Sequence, residues 1–353
     1  MRSASPSLER ARVDVLGGGI VGLSVAEELT RRGHDVVVID PEPASGASYA
    51  AAGMLSPGTE TWHGEEEILR LGRASLDLWP ELASRLGVTL RPGGTVLVGY
   101  DGGDLQQVER QAALLSRFDH PVEMLDRAAV RQHEPSLGRV AGGVLVSGEA
   151  SLDPRAVCAA LLGRVRWRGQ PRDEVDCTVV ATGSTLPAPW SRWVHGVRGE
   201  ILRLRSDDPP RRTVRGWVGG ETVYLVPRDD GGVVLGASTE THSAPPVLTA
   251  GNVVRLLAAG RVLWPALDRA ELVEGTARNR PATSDGRPLV GPSGVDGYLL
   301  AAGHYRHGVL LAPLTARLIA DHLETGVVDP ALDPRRLTRP PACRKPVESE
   351  GAR

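Results

Sequence analysis

The chain has almost no lysine. Of its 41 basic residues only Lys345 is one, and the rest are arginine, a bias that reads as coding preference. Schiff-base chemistry of the pyridoxal phosphate kind needs a lysine in the folded body, so that class is disfavoured. Net charge is also scarce. At −2 it leaves no electrostatic footprint for nucleic acid or an anionic membrane surface. The three cysteines, Cys158, Cys177 and Cys343, have no metal-ligand spacing and form no disulfide framework. They suit a reducing, cytoplasmic setting, and no metal site is expected. No uncharged apolar run reaches the length of about 18 residues that a membrane helix needs. The first ten residues lack the apolar stretch of a secretory signal. At 353 residues and 41% hydrophobic content, one or two domains with a substantial core are expected.

What is present begins with Val13-Asp14-Val15-Leu16, a short strand. Gly17-Gly18-Gly19-Ile20-Val21-Gly22 follows and fits G-x-G-x-x-G. Leu23 to Arg32 reads as a helix, with Val21, Val25 and Leu29 on one face and Gly33 closing it. Val36 to Ile39 is a buried strand that ends at Asp40, 23 residues after Gly17. Gly17 permits a tight turn, Gly19 lets backbone approach a pyrophosphate, and Gly22 lets the helix sit close to the strand. The helix N-terminus turns unpaired N–H groups toward phosphate, with Ile20 and Val21 of the loop expected beside it. Asp40 stands where an acidic side chain takes ribose hydroxyls. Together these predict a dinucleotide site, but they do not separate NAD from FAD.

The next segment favours a flavin. Ser45 to Pro57 is long and built of small residues, among them Ser48, Ala51, Ala52, Gly53 and Met54. A nicotinamide fold would turn directly into another helix. A small-residue segment suits close backbone approach to a flat ring. Val175 to Ala181 is a strand that leaves through Ala181-Thr182-Gly183, a second place for a ligand to come near. Glu65 to Leu86 has the apolar spacing of a helix. Between Gly199 and Gly236 the pattern changes to strands, predicting an antiparallel sheet. Near the end, the strand Tyr298 to Ala302 runs into Gly303-His304-Tyr305-Arg306-His307-Gly308, and a helix is expected from Val309.

Four motifs carry a resemblance: Gly17 to Gly22; Ala50-Ala51-Ala52-Gly53-Met54-Leu55; Tyr224-Leu225-Val226-Pro227-Arg228 with Gly236-Ala237-Ser238-Thr239; and Arg280-Pro281-Ala282-Thr283 with Ala302 to Pro313. With them the chain resembles the D-amino-acid oxidase superfamily of FAD-dependent amine oxidoreductases, and within it the glycine oxidases of thiamine biosynthesis. The resemblance implies an α/β fold, a Rossmann-like FAD-binding domain interleaved with an antiparallel-sheet α+β substrate (cap) domain. The FAD-binding pieces are expected at 11–60, 150–192 and 276–333, the substrate pieces at 61–149 and 193–275, and disordered tails at 1–10 and 334–353.

The implied activity is oxidation of glycine to its imine by hydride transfer from Cα to flavin N5. Water then gives glyoxylate and ammonia, oxygen is the electron acceptor, and the imine can pass to a thiazole synthase. Carried over residue by residue, Arg280 holds the substrate carboxylate, and Tyr224, Arg306, Met54 and Thr239 line the substrate pocket. Thr239 stands where a relative has methionine, which changes the pocket volume. Ala52 to Met54 and the loop Gly303, His304, Tyr305, Arg306, His307, Gly308 and Val309 flank the flavin, whose negative charge on reduction the helix start at Val309 would offset. No side chain is expected to act as acid or base. His304 and His307 are expected to shape the loop or face solvent. Attachment of FAD is non-covalent, since no cysteine lies in this loop. A homotetramer is the family's expectation. Other readings are an oxidase or dehydrogenase of another small D-amino acid or sarcosine, a nicotinamide-dependent dehydrogenase, or a flavin-binding protein without turnover. One departure stands out. Between the helix from Arg155 and Val175 the family has several strands that clamp the adenine, and here only Gly163 to Glu174 remain.

Overall fold

The computed structural model describes residues 10–242 and 244–338. The fingerprint region folds into a six-stranded sheet in the order Leu289–Pro292, Tyr298–Ala302, Cys177–Val180, Arg12–Leu16, Asp35–Ile39, Trp167–Arg168. All neighbours are parallel except the first pair. Parallel strands need both faces covered, and their near-continuous apolar runs meet that need. The helices Ile20–Arg31 and Ala312–Thr325 pack together over this sheet. Gly33, at φ +94°, supplies the left-handed residue that ends the first helix.

The second sheet has eight strands, ordered Glu271–Ala282, His195–Arg205, Gly232–Gly236, Glu221–Pro227, Thr213–Val218, Thr95–Gly99, Gly142–Val146, Glu123–Leu125. It is antiparallel except where Thr213–Val218 runs parallel to Thr95–Gly99. The two sheets hold separate cores. One gathers Val13, Leu23, Leu29, Val179 and Ile319. The other gathers Val98, Leu202, Val214, Leu225 and Trp264.

Several expectations shift. The stretch from Glu65 to Leu86 is two helices, Glu66–Leu76 and Trp79–Leu86, because Pro80 can sit only in a first turn. They were placed with the substrate region, yet Ile68, Leu71, Trp79 and Leu82 join the core of the nucleotide sheet. There Ser75 Oγ and the fully buried Trp79 Nε1 both donate to Leu310 O, at 2.6 and 3.0 Å, and so fix the turn after the histidine loop. The strand Glu271–Ala282 crosses the expected boundary at 276 unbroken and pairs with His195–Arg205 along its length. The chain also stays folded past 334. Pro334–Thr338 is a short 3-10 helix, and Arg336 pairs with Asp285. The remaining tail expectations, 1–9 and 339–353, lie outside the described residues, as does Cys343.

The shortened segment 163–174 forms an edge strand, Trp167–Arg168, beside Val38 and Ile39. Its end is pinned by Arg172. The guanidinium donates to the buried carboxylate of Asp14 at 2.6 Å and to Asp35 at 3.1 Å. Among the described residues no helix is long and apolar enough to cross a membrane.

Candidate active site

A cavity of about 650 Å³ runs between the two sheets. At one end lies the glycine loop. A Cβ on Gly17 would stand 2.3 Å from Ala181 O, and one on Gly22 would stand 2.0 Å from Gly17 O. Only glycine allows these approaches, and the first brings the ends of Arg12–Leu16 and Cys177–Val180 together at the loop. Gly22 therefore packs helix on loop and does not itself line the cavity, unlike Gly17, Gly19, Ile20 and Val21. Among the described residues the N–H groups of Gly19 and Val21 have no acceptor, while Ser48 Oγ takes the Ile20 N–H at 2.9 Å. Free N–H groups at a helix start are a ready anion site.

Asp40 lines the cavity, and its carboxylate is partly engaged: Oδ2 accepts from Gly18 N at 2.6 Å and Oδ1 from Glu42 N at 2.8 Å. It ties the loop to the next turn. Thr182 and Gly183 line the same end. Among the described residues, none of the segment 163–174 reaches the cavity wall.

The small-residue segment forms the middle of the wall. It is held by arginines whose role the composition did not reveal. Arg278 donates to Ser45 O at 2.9 Å, Arg155 and Arg203 to Tyr49 O at 2.9 and 3.0 Å, and Arg228 to Ala52 O at 2.5 Å. The Arg155 fork also grips Glu274 at 2.7 and 2.9 Å and lies 3.5 Å above the Tyr49 ring. This grip holds the Glu274 carboxyl down at about 2. Ala50, Ala52 and Met54 then pack against Ile201, Val226 and Val234 of the larger sheet. Gly53, at φ +80°, brings Leu152 O against its Cα, where a Cβ would stand 2.0 Å away.

At the far end, Met54, Tyr224, Thr239, Arg280 and Arg306 all line the cavity. Arg280 comes from the strand Glu271–Ala282. Its Nη1 donates to Ser238 O at 3.1 Å, and among the described residues no carboxylate pairs with it. Gly199 makes its room, since a Cβ there would sit 2.3 Å from the guanidinium carbon. Gly236 does the same for Tyr224, whose hydroxyl would be 2.3 Å from a Cβ. Burial pushes the Tyr224 phenol up from its ordinary value, so it stays a proton donor. Arg306 differs. It donates to Glu60 O at 2.8 Å and forms an ion pair with Glu65.

His304, Tyr305, Gly308 and Val309 also line this end, whereas Gly303 and His307 do not. Gly303, at φ +73°, lets the strand turn past Thr283, where a Cβ would be 2.4 Å away. Both histidines are buried, not exposed. His304 bonds Thr315 Oγ1 at 2.8 Å, and burial pulls it down to about 4. His307 lies well below its usual value for the same reason, with Arg306 and Arg215 adding to it. The helix expected from Val309 begins at Ala312, with Pro313 in its first turn. Gly308 to Leu311 form a preceding turn, closed by Leu311 N to His307 O at 2.8 Å. Among the described residues the N–H groups of Gly308, Val309 and Leu310 find no acceptor, so positive backbone ends still gather there.

Glu60, Trp62 and Arg215 line this end too and were not foreseen. Their loop and strand carry no local pattern that points inward. Only the run Glu60-Thr61-Trp62 just after the small-residue segment could have signalled them.

A long cleft with free helix-start N–H groups at one end and a glycine-lined wall in the middle fits a flavin dinucleotide. The comparisons agree. Residues 12–171 and 163–322 match the family of FAD dependent oxidoreductases that includes D-amino-acid oxidase, and the chain belongs to that family. The two matched stretches meet at the shortened segment. FAD is its cofactor, and the protein is an FAD-dependent oxidoreductase.

More particularly, the chain is 36% identical to the thiamine biosynthesis oxidoreductase ThiO of Rhizobium etli, over 89% of this chain and 97% of that protein. It is 31% identical to the bifunctional protein ThiO/ThiG of Trichormus variabilis over 90% of this chain, and spans about half, 53%, of that longer relative. The solved glycine oxidase of Geobacillus kaustophilus superposes with a TM-score of 0.81 at 27% identity, over 92% of this chain and 97% of that one.

Proposed function

We propose that the protein oxidises glycine, or an amine of similar size, with FAD as hydride acceptor and oxygen as the final acceptor. The observation that carries this reading is Arg280, a cavity-lining guanidinium that no carboxylate neutralises among the described residues. A planar fork takes a carboxylate through two parallel hydrogen bonds, which a point cation does not. Tyr224, beside it and still protonated, donates to a carboxylate oxygen. Thr239 and Ala237 leave little side-chain bulk at this wall. Bound FAD supplies the hydride acceptor. The chain's residues bind and orient: carboxylate on Arg280, Cα turned toward the small-residue wall, amine left for the remaining polar surface. The buried, neutral His304 and His307 hold the loop and move no proton. The oxidised product is an imine, which water converts to glyoxylate and ammonia. Relatives named as bifunctional ThiO/ThiG favour a hand-over of that imine to a partner in thiamine biosynthesis.

The test is the visible spectrum of the purified holoenzyme under anaerobic addition of glycine. Bleaching by glycine with recovery in air is the expected result. A flavin that stays oxidised with glycine, but bleaches with sarcosine or D-alanine, moves the assignment to that amine.

A further inference from the structure

Resting on the amine-oxidising reading, we propose that Glu60 receives the substrate's amine, so that the cavity tests a substrate at two points, carboxylate on Arg280 and amine on Glu60. Two carboxylates line the cavity among the described residues, Asp40 and Glu60. Asp40 lies at the glycine-loop end with backbone N–H groups on both oxygens. Glu60 lies at the other end. Its Oε1 accepts from Arg215 Nη1 at 3.1 Å, and its Oε2 has no donor among the described residues.

The loop that presents Glu60 is built to hold still. The buried carboxylate of Glu149 accepts Gly58 N, Thr59 N and Thr59 Oγ1, each at 2.8 Å. Gln111 Nε2 donates to Thr59 O at 2.9 Å and Thr61 O at 3.2 Å. Arg306 takes the Glu60 carbonyl itself at 2.8 Å. Buried polar groups satisfied this fully fix one geometry. A surface turn needs no such anchoring, but a turn that must aim a side chain does.

Charge gives the second argument. Arg306 is answered by Glu65, and Arg215 by Glu60. Among the described residues Arg280 has no carboxylate partner. Tyr224 lines the same end, and its phenol lies within electrostatic reach of Arg280, Glu60 and Arg215. A small amino acid has the matching polarity: its carboxylate neutralises Arg280, and its N–H groups donate to the open Glu60 oxygen. A second carboxylate on the substrate would face Glu60 and be repelled.

The experiment compares two ligands on the holoenzyme: glycine, and acetate, which has the carboxylate without the amine. Both are titrated against the flavin spectrum under anaerobic conditions, in wild type, Glu60→Gln and Glu60→Asp. In Glu60→Gln, half-saturation by glycine should rise about tenfold or more, the worth of a charge-assisted hydrogen bond, while acetate stays within about twofold. Glu60→Asp, which keeps the charge on a shorter arm, should fall between, and it serves alone if the glutamine variant loses its flavin. Equal weakening of both ligands would reduce Glu60 to a structural role, and no weakening of glycine would remove it from the site. If glycine binds without bleaching wild type, the oxidase reading fails, while the same titrations still score Glu60.

Discussion

The two ends of the cavity are made in different ways. The glycine-loop end is backbone: Gly17 to Gly22, closed by Ala181 to Gly183, with side chains serving to tie the loop. The far end is side chain: Met54, Glu60, Arg215, Tyr224, Thr239, Arg280 and Arg306, brought from separate segments by two sheets. Backbone recognition suits a pyrophosphate, which needs N–H groups and close approach. Side-chain recognition suits a small substrate, which needs a few placed charges. One end is therefore common to a large class of proteins, and the other selects.

The largest effects should separate the two ends cleanly. Arg280→Leu should cut kcat/KM about a thousandfold or more, about 4 kcal/mol for an unmatched carboxylate in a desolvated site, with flavin content unchanged. Steady-state kinetics and the absorbance ratio of the purified variant check this. Loss of flavin in the same variant would show that the ends are not independent. Gly22→Val should do the converse. Its side chain would begin 2.0 Å from Gly17 O, so the loop must open at a cost of about 3 kcal/mol, and the protein should purify largely colourless. A yellow Gly22→Val protein would mean that the helix can move off the strand.

The same contrast decides what the sequence made legible. The strand, glycines, helix and acid at residues 13 to 40 are local in the chain, and the local pattern is the structure. Tyr298 to Ala302 is a strand with the bounds expected, for the same reason. Motifs pointed to Arg280, Tyr224 and Arg306, which all line the cavity, but could not tell Arg280, without a carboxylate partner among the described residues, from the paired Arg306. That difference lies in Glu65, far away in sequence. Glu60 and the arginines that grip the Ser45 to Ala52 carbonyls were missed because their partners are 100 and more residues distant in most cases. The excess of arginine includes four side chains that hold the small-residue wall of the cavity. Trp79 belongs to the nucleotide-side core although its neighbours in sequence suggested the other region, since packing follows buried volume and not segment order.

Acid should act next, between pH 7 and 4.5 through buried histidines and below that also through carboxyls such as Glu274, held at about 2. Burial holds His120 and His304 at about 4 in the folded protein, and both return to about 6.5 when unfolded. Their contribution is present above pH 6.5 and is lost as pH falls toward 4, because only the unfolded chain takes up those protons. Glu134 works in the opposite sense. Burial pushes it up to about 7, so its contribution is present below the ordinary carboxyl value and is lost as pH rises through 7. The net curve mixes both, and a single substitution separates them. His304→Gln can keep the Thr315 hydrogen bond and removes one proton uptake. Urea unfolding at pH 7 and pH 4.5 should show the variant losing about 2 kcal/mol less than wild type between the two. Equal losses would mean that His304 is not held neutral.

The smallest effect sharpens the comparison most. Asp40 was expected to meet the ribose, yet it holds Gly18 N at 2.6 Å and Glu42 N at 2.8 Å. Each oxygen keeps a second lone pair, so a ribose contact and a loop tie are separable roles of one carboxylate. Asp40→Ala should weaken FAD about tenfold, roughly one charge-assisted hydrogen bond, with Asp40→Asn between it and wild type. An FAD analogue lacking the adenosine 2′-hydroxyl tells the roles apart. If Asp40 meets the ribose, wild type loses affinity for the analogue and Asp40→Ala loses none. If it only ties the loop, both lose the same. Among the described residues none of the shortened 163–174 segment reaches the cavity wall, so a ribose contact should carry more of the binding here, and the first outcome is the one expected.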